Sequence, residues 1–231
     1  SVRTEAARVL SRLPSRIFTP EEKKQFDIAF RELKARFLSN LDRPEANLSL
    51  GNLAENQGNP REAERYYKAA IEREETFVPA RMNLATLLNR RGRNREAEKL
   101  LRQVVRLEPG WGQGHYSLGL LLAEDRNRLD EASQRLSRAA SIMPENPRIH
   151  FNLGVAYWQL EQREKAATAI KVAFNLEPAN PEFPQALAQL YGQENRWKDA
   201  LPYAEKVVAL MPENPQAKAF LAQVRTRAVQ R

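Results

Sequence analysis

Few residue types in this chain could do chemistry, and their spacing argues against catalysis. His115 and His150 are the only histidines and stand 35 residues apart. A zinc site needs three or four ligands, and neither a further imidazole nor an adjoining carboxylate motif accompanies this pair, so both read as structural. Cysteine is absent, which excludes disulfides, thiolate-held metals, a thiol nucleophile and covalently attached haem within these residues. No nucleophile motif, phosphate-cradling glycine loop or paired-carboxylate signature stands out. The expectation is a chain that is not an enzyme and holds no cofactor or metal. What remains is polar recognition, through amides such as Asn83 and Asn152 that can donate and accept together, and through clustered arginines.

The elements that must position these groups are announced by alanine. Ala63, Ala97, Ala132, Ala166 and Ala200 are separated by 34, 35, 34 and 34 residues, the period of a stacked helical repeat. Each sits in a recurring frame: Leu50 and Gly51 before Ala63, Leu84 and Ala85 before Ala97, Leu118 and Gly119 before Ala132, Leu153 and Gly154 before Ala166, Leu187 and Ala188 before Ala200. Glycine inside a helix costs about 1 kcal/mol relative to alanine, so its recurrence there implies close helix crossing. The one extra residue of the third unit falls around Arg126–Leu129, where a loop absorbs it.

Between units, Pro144-Glu145-Asn146-Pro147, Pro178-Ala179-Asn180-Pro181 and Pro212-Glu213-Asn214-Pro215 place a helix stop, a capping asparagine and a first-turn proline in succession. Asn59-Pro60 repeats the device within the first unit. Ahead of the repeats, Thr19-Pro20-Glu21-Glu22 has the form of a capping box, and Phe26, Phe30, Leu33 and Phe37 fall on one helical face. This predicts a helix over 20–38 that packs on the open end of the first repeat. A shorter helix is expected over 2–13, ended by Pro14.

These residues resemble the tetratricopeptide repeat over roughly 44–214. The resemblance implies an all-α, right-handed superhelical solenoid of helix-turn-helix units: N-terminal helices over 1–43, five repeats over 44–214 and a capping helix over 215–231. It also implies that the first helix of each unit faces the ligand. Its usual contact positions correspond to Leu48, Asn52 and Glu55, to Met82, Thr86 and Asn89, to Tyr116, Leu120 and Ala123, to Phe151, Val155 and Trp158, and to Gln185, Gln189 and Gly192. The expected partner-binding groove is thus Met82, Asn83, Tyr116, Leu120, Phe151, Asn152, Val155 and Trp158, apolar through its middle. A chaperone-type carboxylate clamp is not expected, because Leu48, Gln113 and Ser117 stand where its cations belong. The segment Val2–Leu10 resembles the closing helix of a HEAT-type repeat. With Pro44–Leu48 and Phe77–Ala80, its order is similar to bacterial proteins that join multihaem cytochrome modules, HEAT repeats and a tetratricopeptide array. That resemblance leans towards the periplasm, with the cytoplasm as the alternative, and Ser1 at the start predicts a processed form or a fragment.

The formal net charge is +8, with 37 Lys and Arg against 29 Asp and Glu. Cations favour the turn inside each unit, notably Arg91, Arg93, Arg95, Arg126 and Arg128, and stacking aligns them into a basic rim able to steer an anionic partner. Glu62, Glu96, Glu131 and Glu164 are interspersed and moderate it. No recognition helix or aromatic-basic platform makes the rim a nucleic-acid module, and no apolar run is long enough to span a bilayer. The function expected is a protein-interaction scaffold that binds a partner peptide or helix in its groove. The alternatives are self-assembly of the array into a homo-oligomer, and an electrostatic adaptor for nucleic acid or an anionic surface.

Overall fold

A computed structural model describes residues 5–6, 9–11 and 17–229, which contain twelve α-helices, one short 3₁₀ helix and no strand. The helix expected over 2–13 and its HEAT-like resemblance lie largely outside the described residues. Helix α1 (Pro20–Leu38) precedes five helix pairs: α2 (Pro44–Asn56) with α3 (Pro60–Arg73), α4 (Val78–Arg90) with α5 (Asn94–Leu107), α6 (Gly112–Ala123) with α7 (Leu129–Ile142), α8 (Pro147–Gln159) with α9 (Arg163–Leu176), and α10 (Glu182–Gln193) with α11 (Trp197–Leu210). Helix α12 (Pro215–Val229) follows the last pair. The chain divides into two compact units, Ser1–Pro109 and Gly110–Arg231.

The five ladder alanines are completely buried. Small residues let the helices of a pair approach: a Cβ on Gly51 would overlap the Tyr67 ring, and one on Gly154 would lie 2.5 Å from Ile170 Cγ1. The turn inside each pair uses one left-handed residue at a fixed register, namely Gly58 (φ 73°), Gly92 (φ 71°), Glu161 (φ 60°) and Asn195 (φ 58°). The third pair has its extra residue there. It replaces the left-handed residue with a 3₁₀ turn over Arg126–Arg128, held by the Asn127 amide donating to the Asp125 carboxylate at 3.0 Å.

Between pairs, asparagine caps as expected. Asn146 Oδ1 accepts from the Arg148 amide at 3.1 Å, Asn180 from Glu182 at 3.1 Å, and Asn214 from Gln216 and Ala217 at 2.9 and 3.2 Å. Asn59 differs and makes no side-chain cap. It belongs to the tight turn within a pair, where φ −103° and ψ 70° place it outside the extended conformation of a side-chain cap; only its backbone carbonyl accepts, from Ala63 at 3.0 Å.

Helix α1 begins in the capping box read from the sequence: Thr19 N–H donates to Glu22 Oε2 at 2.8 Å and Glu22 N–H donates back to Thr19 Oγ1 at 3.3 Å. Ala29, Phe30 and Leu33 are buried with Leu53 of α2, and Phe26 and Phe37 pack beside them half-buried. Lys34 pairs with Glu62 of α3 at 3.3 Å.

Candidate protein-binding faces

In the first unit the first-helix positions build a polar cluster. Asn83 Nδ2 donates to Asn52 Oδ1 at 2.7 Å. The Tyr67 hydroxyl, with one proton to give, lies 2.6 Å from Glu55 Oε2 and 2.8 Å from Asn52 Oδ1. Glu55 is further paired with Arg90. Burial pushes the Tyr67 phenol up to about 12, so it keeps its proton, and its role as donor, into the alkaline range. Met82, expected to face a ligand, is buried: four apolar positions of α4, Met82, Ala85, Leu87 and Leu88, all turn inwards, leaving Asn83 half-exposed and Thr86 exposed.

In the second unit the corresponding face is apolar. Leu120 on α6 is 37% exposed, and Tyr116, Val155 and Trp158 are half-buried. Asn152 Nδ2 donates to the Tyr116 hydroxyl at 2.7 Å. Phe151 was expected beside them and is buried instead, because it packs on Phe183 of α10 with ring centroids 5.1 Å apart. Arg148 covers that pair, 5.6 Å from one centroid and 5.7 Å from the other, while its Nη1 holds Glu182 at 2.7 Å. Phe151 is therefore a core residue, and the accessible part of the face is Tyr116, Leu120, Val155 and Trp158.

The rim arginines do not stand as bare charge. Arg93, at the N-terminus of α5, makes a two-point bond to Glu96 at 2.7 Å from Nε and from Nη2, and its Nη1 reaches Glu64 at 2.7 Å. Arg91 joins the same Glu64 at 3.1 Å. Arg128 holds Glu131 at 2.9 Å, and Arg196 holds Asp199 and Glu164 at 2.7 and 2.6 Å. An Arg-x-x-acid spacing at the start of the second helix recurs in three pairs, Arg93–Glu96, Arg128–Glu131 and Arg196–Asp199, and reading these residues as a cationic rim overlooks it. Burial acts to raise the Glu64 carboxyl, but Lys68 and Arg93 outweigh it and hold the group below its usual range. Arg95 and Arg126 are exposed and have no ion pair among the described residues.

A further polar set was legible only as a register. Asn47, Arg81, His115 and His150 recur 34 or 35 residues apart, and the first three are buried. Asn47 Nδ2 donates to the Leu41 carbonyl at 2.8 Å, and His150 Nε2 bonds the Pro144 carbonyl, also six residues back, at 2.8 Å. Arg81, whose pKa burial lowers, reaches Gln103 at 3.3 Å. This position ties the incoming loop to the first turn of its helix, which gives His150 a structural use.

Family models described as "Tetratricopeptide repeat" match residues 54–121 and 147–180, and one described as "TPR repeat" matches 124–161; together they cover more than half of the chain. No curated protein matches. Among solved structures the chain is similar to MamA (residues 41 to the end) from Desulfovibrio magneticus RS-1, at 23% identity and TM-score 0.68, covering 74% of this chain and 97% of that one. It is similar to YrrB, described as a TPR protein with an unusual peptide-binding site, at 16% identity and TM-score 0.68, covering 80% and 95%. It is also similar to pilF of Pseudomonas aeruginosa, at 22% identity and TM-score 0.65, covering 81% and 87%. At these identities the likeness is one of fold. With the matched repeats, the buried alanine ladder and the five helix pairs in agreement, the chain belongs to the tetratricopeptide repeat family.

Proposed function

We propose that this chain is a protein-binding scaffold whose partner lies along the first helices of the repeats, with the apolar face of the second unit as the main anchor. Protein–protein interaction is what the family's fold supports in general, and scaffolds of this family are typically not enzymes. The observation that carries the finer reading is that Leu120 is exposed and Tyr116, Val155 and Trp158 are only half-buried at the corresponding positions of successive first helices, which the Asn152–Tyr116 bond holds together. A soluble surface leaves such a cluster of large apolar groups open where another surface covers it.

Two observations favour this reading over its alternatives. The carboxylates bound to Arg91, Arg93 and Arg128 weaken the field an anionic ligand would need. The aromatic stripe of α1 is engaged by its own first repeat, which leaves less of it for the groove of a second copy. The test is selection of a random peptide library on the chain, followed by binding of the selected peptides to a Leu120→Ser/Trp158→Ala variant whose circular dichroism matches the parent. Loss of at least tenfold in affinity is expected. Peptides that bind the variant as tightly as the parent sink the reading.

A further inference from the structure

The three repeat junctions that lie inside a single unit are filled differently. The 34- and 35-residue register pairs one position on the second helix of a repeat with one on the second helix of the next; in the last junction the two are in ring contact, and in the third-to-fourth they share one apolar cluster. Between the first and second pairs they are Ile71 and Leu100; between the fourth and fifth they are Phe174 and Tyr203; between the third and fourth they are Ala140 and Ala169. Phe174 and Tyr203 meet edge to face with centroids 5.9 Å apart, and Tyr203 stacks on Tyr191 at 5.9 Å with 21° between the planes. The residue equivalent to Tyr191 one repeat earlier is Tyr157, so the third-to-fourth junction keeps the platform and lacks both rings that rest on it.

At this junction lies a shallow, open depression of about 500 Å³ lined by Ala140, Leu153, Tyr157 and Ala169, with Glu164 and Lys165 also on its lining. Cations lie over the platform in both places, though from different positions: Arg196 and Lys171 over Tyr191, 4.6 and 5.5 Å from its centroid, and Lys165 over Tyr157 at 5.5 Å. A second open depression of about 520 Å³ lies along α7 past Ser133, Ser137 and Arg138 and shares Ser141, Tyr157 and Lys165 with the first.

We infer that this trough, on the side of the repeats built by the second helices, receives an aromatic side chain of a partner protein, which sits over Tyr157 between Ala140 and Ala169 as Tyr203 sits over Tyr191. The neighbouring junction shows what this geometry accepts, a ring stacked on a tyrosine beside a lysine. Along α7 the hydroxyls of Ser133 and Ser141 donate to the Asp130 and Arg138 carbonyls at 2.9 and 2.8 Å, so they offer lone pairs to a partner's backbone N–H groups, and Arg138 offers donors to its carbonyls. This site is separate from the Leu120 face, on other helix faces, and stands or falls without it.

The test uses the whole chain with methyl-labelled alanine and follows the Ala140 and Ala169 resonances. The probes are N-acetyltyrosinamide, N-acetylleucinamide and capped pentapeptides Ser-Ser-Tyr-Ser-Ser and Ser-Ser-Leu-Ser-Ser. Expected are saturable shifts at both methyls with the tyrosine probes, severalfold tighter than with the leucine probes, and tighter for the pentapeptide than for the single amide. Ala140→Phe/Ala169→Tyr rebuilds the filled junction and should abolish binding, assayed on labelled Thr168 and Val172; Ala169→Tyr alone serves if the double variant does not fold. Absence of a saturable shift, an equal response to leucine, or binding that survives the filling substitutions overturns the inference. A pentapeptide no tighter than the single amide overturns the protein source in favour of a small aromatic ligand.

Discussion

Asn152 donates its side-chain amide to the Tyr116 hydroxyl across 2.7 Å. The bond joins successive first helices, α6 and α8, and takes up one donor of an amide that the sequence offers for a peptide backbone. It also orients the Tyr116 ring beside Leu120. Tyr116→Phe keeps the ring and removes the acceptor, so the folded state should lose about 1 kcal/mol, the usual net worth of such a bond. Chemical denaturation of the two proteins checks it, and a midpoint that does not move shows that water replaces the bond at no cost.

Tyr67 makes a prediction at high pH. Burial raises its pKa from 10.0 to about 12. A group raised on folding contributes stability that is whole below the unfolded value and is lost as pH climbs through the folded one. Between pH 10 and 12 the fold should lose on the order of 2 kcal/mol from this residue. Tyr67→Phe should flatten that part of the stability curve, and phenolate absorbance should show one tyrosine fewer titrating late. A late phenol that persists in the variant would belong to another residue, such as Tyr116 or Tyr203, whose pKa values burial also raises.

The carboxylates Glu22, Glu64 and Glu96 predict the acid limb. Thr19 holds Glu22 down through its backbone amide and hydroxyl, Arg93 holds Glu96 down, and Lys68 with Arg93 outweighs burial at Glu64. Depressed carboxyl groups contribute stability that is whole above their ordinary value of 4.5 and disappears as pH falls through the lowered ones. Arg93→Ala releases two of the three at once, so its acid unfolding should begin at higher pH than the parent's. Exposed pairs contribute little individually, so at neutral pH the two proteins should differ only slightly by thermal denaturation. An unchanged acid midpoint would show that Arg93 is not what holds these groups down.

The architecture was legible because packing repeats. Ala63 and its counterparts must be small at every 34-residue step, and the helix starts at Pro44, Pro60, Pro147 and Pro215 follow from local backbone chemistry. The binding face was legible only in outline. Phe151 and Met82 occupy ligand-facing register positions, yet each is buried, since a helix between two neighbours has more than one inward side and register alone does not say which neighbour claims a side chain. Arg93 and Arg128 illustrate the opposite error. Their acids lie three residues on, within one turn, and counting net charge by segment hides a pairing that helix geometry makes unavoidable.

The turn inside the fourth repeat offers a stabilising substitution. Gly58 and Gly92 fill the left-handed position of the first two turns, and Asn195 fills that of the fifth, but Glu161 takes φ 60° in the fourth. A residue with a Cβ pays roughly 1–2 kcal/mol in that conformation, and asparagine tolerates it better than glutamate does. The Glu161 side chain is exposed, so replacing it removes little packing. Glu161→Gly relieves the strain but loosens the unfolded chain, which offsets part of the gain. The net effect expected is about 0.5–1 kcal/mol of added stability, read as a higher denaturation midpoint, and Glu161→Asn should fall between the two. Glu161→Val should fall below the parent, because a branched Cβ suits the left-handed region least. If glycine leaves the midpoint where it was, the turn is held by its backbone bonds, Glu161 N–H to Trp158 O at 3.0 Å and Gln162 N–H to Tyr157 O at 2.9 Å, strongly enough that residue type no longer matters there.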